Sequence, residues 1–433
     1  MNPKISATLL SACAVVLLSA CDGSSGSSEP LPTATPTATP TAPPQTPAGF
    51  TQKNVQWTFD LPAKDVALCY DFDAQQAVAC SGEAWDLKVL GGQSSPTFWT
   101  NSGVSGSGKG GAFGGPFDHQ WSTLSTWDSA LLDPEGGAIP QQAFTTDQPS
   151  GVFTGSNAIG SAAFEYDLDG SRQLFPSYRV FLITTDSSNA SATQGDDHKV
   201  YALQVIGYYG GTGGTTSGFP TLRWIDRSVP DDVRTRQYDA STQKVYINLD
   251  SGDSVGADGD WQIALDRFNV SLNGGDSGSG SVAGFVAATP AGLYNEDGTP
   301  NVASLMAARP EDSLALLKMG PLDEPASARA WVRDVNHSAL NPAYRGNFPG
   351  ALQFGWYNYH PTAEVAAEAG LPAAHMLKAT PEGAALLRSG EGNSYARLHL
   401  TDIRYDAPQG EQSPASTQQH WTLVFDVQPA SAN

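Results

Sequence analysis

The chain has 433 residues, with 23 Lys plus Arg against 44 Asp plus Glu and a formal net charge of −21. So large an acidic surplus, with no run of Lys or Arg anywhere, excludes a protein that grips nucleic acid by neutralising phosphates. It also argues against attachment to an anionic lipid surface by charge. The 45 Gly and 30 Pro, with only 40% hydrophobic residues, favour a turn-rich, all-β protein with minor α content over a helical bundle.

Lys4 precedes an apolar run from Ile5 to Leu18 that ends in Leu18-Ser19-Ala20-Cys21, which reads as a signal peptide over residues 1–20 closed by a bacterial lipobox. Cys21 is therefore expected to carry lipid. The same tetrad at Leu10 to Cys13 comes too early to leave the ~7 to 15 apolar residues that export requires. The run is also too short to span ~30 Å of hydrocarbon, so the expected contact with the membrane is the lipid anchor alone. Residues 21–49 are rich in Pro, Thr and Ser and read as an extended tether. Attachment to the outer membrane of a Gram-negative bacterium follows, on the cell surface or the periplasmic face, although Asp22 resembles an inner-membrane retention signal.

Once Cys13 has left with the signal and Cys21 has taken lipid, Cys69 and Cys80 are the thiols of the folded part. An oxidising exterior favours a disulfide between them, the alternative being two buried free thiols. Their spacing matches no zinc pattern.

Asn101 to Gly108 and Asn273 to Gly280 agree at six of eight positions. Landmarks around them recur in the same order. A Trp opens the strand-like runs Trp85 to Val89 and Trp261 to Leu265, each preceded by alternation: Trp57, Phe59, Leu61 in one case and Val245, Ile247, Leu249 in the other. Further on, Tyr201 to Val205 matches Tyr395 to His399, and Thr221 to Trp224 matches Trp421 to Phe425. The order predicts a duplication into two tandem antiparallel β-rich domains, 50–228 and 237–429, joined near Val229 to Arg236. Helical patterning is confined to Val302 to Ala308, Thr362 to Ala369 and Pro381 to Arg388.

Three motifs invite chemistry and do not support it. Gly103 to Lys109 lacks the Ser or Thr that holds magnesium in a phosphate-binding loop, and Gly275-Asp276-Ser277-Gly278 has no histidine partner of the protease kind. Both loops read as flexible strand connections that use Gly for positive φ. Asp250 to Asp260 lacks the spacing of a calcium loop.

The stretch Trp261 to Gly280 resembles the signature of the HmuY family of haem-binding lipoproteins: a Trp-opened strand, an Arg-containing alternating strand, and an Asn-x-Gly-x-Ser-Gly-x-Gly loop. Gly355 to His360, Met376 to Lys378, Tyr395 to Leu400 and Trp421 to Phe425 continue in the family's order, and residues 50–228 follow it more loosely. The resemblance implies a β-rich lipoprotein that captures haem and hands it to an outer-membrane receptor, a TonB-dependent one. It further implies two His ligands to iron, and the positions matching them are His360 and, upstream, His337. In the first copy Asp167 stands where His360 stands in the second.

A haem site needs imidazole for iron, an apolar slot and cations at its rim. Trp356, Tyr357 and Tyr359 beside His360, with Arg333 and Arg345 for the propionates, supply these residue types. His375, His399 and His420 are assigned to the scaffold, and Met376 is a substitute axial ligand. No acid, base and nucleophile set recurs in both copies, so binding is expected rather than catalysis. The alternative of another class is a non-haem β scaffold that binds a receptor, a glycan or another tetrapyrrole.

Overall fold

The computed structural model describes residues 49–92, 95–189, 198–319 and 322–430. The signal peptide, Cys21 and nearly all of the tether lie outside the described residues. The fold is mostly β, built from several antiparallel sheets.

Strands form where apolar side chains alternate. In Gln52–Asp60 the inward Trp57 and Phe59 lie opposite Leu423 and Trp421 of Gln419–Gln428. This pair opens a large sheet ordered Gln52–Asp60, Gln419–Gln428, Tyr395–Tyr405, Gly383–Arg388, Gly111–Phe113. A second large sheet is ordered Arg234–Gln237, Thr216–Asp226, Val200–Gly210, Val180–Thr184, Ala283–Ala288. The two orders correspond strand by strand. So do two four-stranded sheets: Gln76–Val78, Ala67–Asp71, Leu87–Leu90, Thr97–Thr100 and Ser254–Val255, Val245–Ile247, Ile263–Asp266, Asn269–Leu272.

The duplication is thus visible as topology, but the copies are not side by side. Each large sheet joins the first strand of one copy to the last three strands of the other, and the two copies exchange their C-terminal halves. Hydrophobic cores follow the exchange. Trp57, Tyr70 and Phe98 pack with Trp356, Leu398, Trp421 and Phe425, while Phe164, Phe181, Tyr201 and Trp224 pack with Ile247, Ile263 and Leu272. One lobe therefore consists of residues 49–147 with 335–430, and the other of the continuous stretch 148–334.

Three expectations are corrected by this arrangement. The boundary near Val229 to Arg236 falls in the connection between Thr216–Asp226 and Arg234–Gln237, which are hydrogen-bonded neighbours in one sheet. Residues 50–228 and 237–429 are accordingly not separate folding units. The counterpart of Val245–Ile247 is Ala67–Asp71, not the strand that holds Trp57. Helices Val302–Ala307 and Ala363–Glu368 form, but Gly383–Arg388 is a strand. Its Ala and Leu residues favour a helix locally, yet Gly383 to Leu387 are all buried between two strand neighbours, and tertiary burial overrides propensity. Cys69 and Cys80 are joined in a disulfide, with Cα atoms 5.2 Å apart, which ties Ala67–Asp71 to the chain leaving Gln76–Val78.

Candidate functional site

The two histidines matched to iron ligation sit on different sheets. His337 ends Val335–His337, pairs in register with Gln148 of Gln148–Ser150, and is exposed, with Nε2 2.7 Å from Ser150 Oγ. His360 ends Tyr357–His360 and is 3% exposed, with Nδ1 3.2 Å from the Met376 carbonyl.

The aromatic residues around His360 are scaffold. Trp356 is fully buried and donates Nε1–H to the Leu340 carbonyl at 2.6 Å. Tyr357 donates its hydroxyl to the Pro96 carbonyl at 2.9 Å, and burial pushes that hydroxyl's pKa upward. Tyr359 reaches His375 Nδ1 at 2.6 Å. The cations are elsewhere: Arg333 donates Nε–H to Ser187 Oγ at 2.7 Å, and the Arg345 guanidinium lies 4.2 Å over the Phe117 ring. The arrangement therefore does not gather His337, His360, the three aromatics and the two arginines around one slot.

The remaining histidines have scaffold partners. His399 stacks on Trp121 at 3.8 Å and 8°, and burial lowers its pKa. His420 lies between Asp60 and Asp406, whose hydrogen bonds raise its pKa. Met376 is buried beside His360 in the sheet pairing.

The repeated Asn-Gly-Ser loops are built twice in the same way. Asn101 Nδ2 donates to the Trp85 carbonyl at 2.8 Å, and its Oδ1 accepts from Gly108 N at 3.0 Å. Asn273 does the same with Trp261 at 2.9 Å and Gly280 at 3.1 Å. An aspartate from far along the chain closes each loop. Asp147 Oδ2 accepts from Thr100 N at 3.0 Å and its carbonyl from Val104 N at 3.2 Å. Asp334 repeats both bonds with Leu272 N at 2.8 Å and Asp276 N at 2.9 Å.

Burial raises the pKa of both carboxyls. The loops are therefore clasped rather than flexible, and of their glycines Gly103 and Gly275 adopt positive φ. Neither Asp147 nor Asp334 was legible from sequence, because neither carries a motif and each lies many residues from the loop it closes.

Where the lobes meet, a cleft of about 810 Å³ opens between the two loops, with Val104 from one and Asp276 from the other in its walls. Phe153 and Phe268 supply apolar surface, and Lys244 a cation. Ser150 and Asn336, on either side of His337 through pairing and chain continuity, also line it. Asp266 and Asp334 complete a wall that mixes charge, amide, hydroxyl and aromatic groups. A concave wall of this mixed composition can hold a small ligand. No family model matches the chain, and no curated protein matches it.

Proposed function

We propose that this protein is a non-catalytic, cell-surface haem-capturing lipoprotein whose cargo enters the cleft between the lobes and is held to iron by His337. The observation that carries the reading is the position of His337: an exposed imidazole bonded to Ser150, which itself lines a cleft that both repeated loops border. Phe268 and the edge of Phe153 supply apolar surface for a flat plate, and Lys244 offers a partner to a propionate. The HmuY resemblance supports haem as the cargo, Cys21 as the anchor and an outer-membrane receptor as the recipient. His360 has no part in this version, because its ring is enclosed and faces a backbone carbonyl.

Haemin titration of the mature chain tests the proposal. A saturable Soret shift at one equivalent is expected, abolished in His337→Ala and retained in His360→Ala. Absence of a saturable shift overturns it, and loss of the shift in His360→Ala alone overturns the assignment of His337.

A second reading, a binding module for an uncharged ligand without iron, is favoured by the cleft's charge. Asp266 and Asp276 line it against one Lys244, an unfavourable setting for a dianionic porphyrin.

A further inference from the structure

The lobe formed by residues 148–334 contains a second cavity, of about 480 Å³, bounded by Asn157, Glu165, Arg179 and Asp297 together with Ser and Thr hydroxyls. We propose that it is a binding site for a neutral polyhydroxylated ligand, one sugar unit of a glycan chain. The inference does not rest on haem binding.

Glu165 is the centre of the site. Its side chain is 5% exposed, Oε2 accepts from Asn157 Nδ2 at 3.0 Å, Oε1 accepts from the Tyr294 hydroxyl at 3.0 Å, and Arg179 Nη1 lies 3.7 Å from Oε1. Arg179 is fixed in turn, its guanidinium 4.2 Å over the Tyr294 ring and its Nη1 donating to the Ala162 carbonyl at 2.9 Å. Removing a carboxylate and a guanidinium from water costs free energy that their attraction only partly returns, so a buried pair of this kind calls for a reason.

The fold does not supply that reason. Glu165 lies on Phe164–Tyr166, paired with Leu174–Pro176, and the corresponding pair in the other lobe is Tyr357–His360 with Met376–Ala379. There the position of Glu165 is held by the half-buried Asn358, opposite Lys378. The same strand pairing thus forms without a buried carboxylate, and the Glu165 and Arg179 pair belongs to one lobe only.

Its chemistry selects the ligand. Arg179 neutralises Glu165, and Asp297 leaves the wall slightly negative, which turns away phosphate, sulfate and carboxylate ligands. Thr154, Ser156 and Ser161 add hydroxyls, so the wall offers both donors and acceptors beside the apolar Ala162, Val286 and Pro300. A sugar presents the matching set. Thr154 and Ser161 also line the interlobe cleft, so the two cavities are neighbours, which suits a chain rather than an isolated monosaccharide.

Isothermal titration of the mature chain with cellotetraose, maltotetraose and chitotetraose tests the site. Saturable binding of at least one of them at one equivalent is expected, weakened about tenfold or more by Glu165→Gln, since a hydrogen bond to a charged group is lost. Asp297→Ala and Ser156→Ala change exposed residues, and their weakening of binding reads the same site if Glu165→Gln fails to fold. Absence of saturable heat from all three saccharides, or affinities equal to wild type in Glu165→Gln and Asp297→Ala, overturns the inference.

Discussion

Arg397 and Asp426 face each other across the two central strands of the first large sheet, with Arg397 Nη2 2.7 Å from Asp426 Oδ2 and both side chains almost fully buried. On the corresponding strands of the other lobe, Gln204 stands opposite Arg223, whose Nη2 lies 2.6 Å from Gln204 Oε1. One lobe therefore buries an ion pair where the other buries an arginine bonded to a neutral amide.

The two positions should respond differently to the same change. Arg397→Met leaves the Asp426 carboxylate buried without its cation and should cost about 3–5 kcal/mol. Arg223→Met leaves only neutral acceptors, Gln204, Ser313 and the Pro310 carbonyl, and should cost about 1–3 kcal/mol. Urea denaturation of the two variants checks the order; equal losses would show that the charge on Asp426 is not what distinguishes the lobes.

Stability should fall as pH rises through the carboxyl range, because of Asp86. It is 1% exposed, and burial pushes its pKa up to about 7, against hydrogen bonds from Gly390 N and Phe72 N that lower it. Asp71 and Asp73 add like charge, and the three carboxylates approach within 4.8 Å of one another. The native state holds the Asp86 proton up to about 7, whereas the unfolded chain releases it near 3.8. This group's contribution is thus full below the lower value, shrinks as pH rises between the two, and is gone above the higher one. Denaturant midpoints across that window should decline in the wild type and decline less in Asp86→Asn. Asp73, also raised by burial, keeps part of the slope.

Much of the fold was legible because strand faces are encoded locally. The alternation in Trp57, Phe59 and in Trp421, Leu423, Phe425 marks inward positions, and all five are core. The exchange of halves was not legible. Corresponding strands of the two copies carry the same pattern, so either partner satisfies it, and the choice is made by packing between residues hundreds of positions apart. The histidine-rich segment was misleading for a related reason: Trp356 and Tyr357 have the residue types of a ligand slot, but both are packed into the first lobe's core. Glu165 and Arg179 had no signature at all, since their site is made by four segments that meet only in the folded lobe.

The clasped loops should fail in parallel. A Cβ on Gly103 would lie 1.9 Å from the Asp147 carbonyl oxygen, and one on Gly275 would lie 1.9 Å from that of Asp334, both at positive φ. Gly103→Ala and Gly275→Ala combine a backbone clash with an unfavourable conformation and should each cost more than about 2 kcal/mol. Gly256→Ala, where a Cβ meets nothing within 4 Å, should change stability by less than about 0.5 kcal/mol. Thermal unfolding of the three variants tests this; a tolerated Gly275→Ala would mean that Asp334 does not close its loop as Asp147 does.

The exchanged architecture makes a sharp claim about which piece of the chain can fold alone. All residues of the second lobe's two cores, from Val152 to Trp331, lie within 148–334. A fragment of those residues loses the pairing of Gln148–Ser150 with Val335–His337 but keeps a complete five-stranded sheet and its four-stranded partner. It should unfold cooperatively and give dispersed amide resonances. The fragment 50–228 holds Trp57, Tyr70 and Phe98 without Trp421 and Phe425, and Phe181, Tyr201 and Trp224 without Ile247 and Ile263. With two half cores it should not show a cooperative transition. If 50–228 folds as a monomer and 148–334 does not, the copies are tandem domains after all and the exchange of halves is wrong.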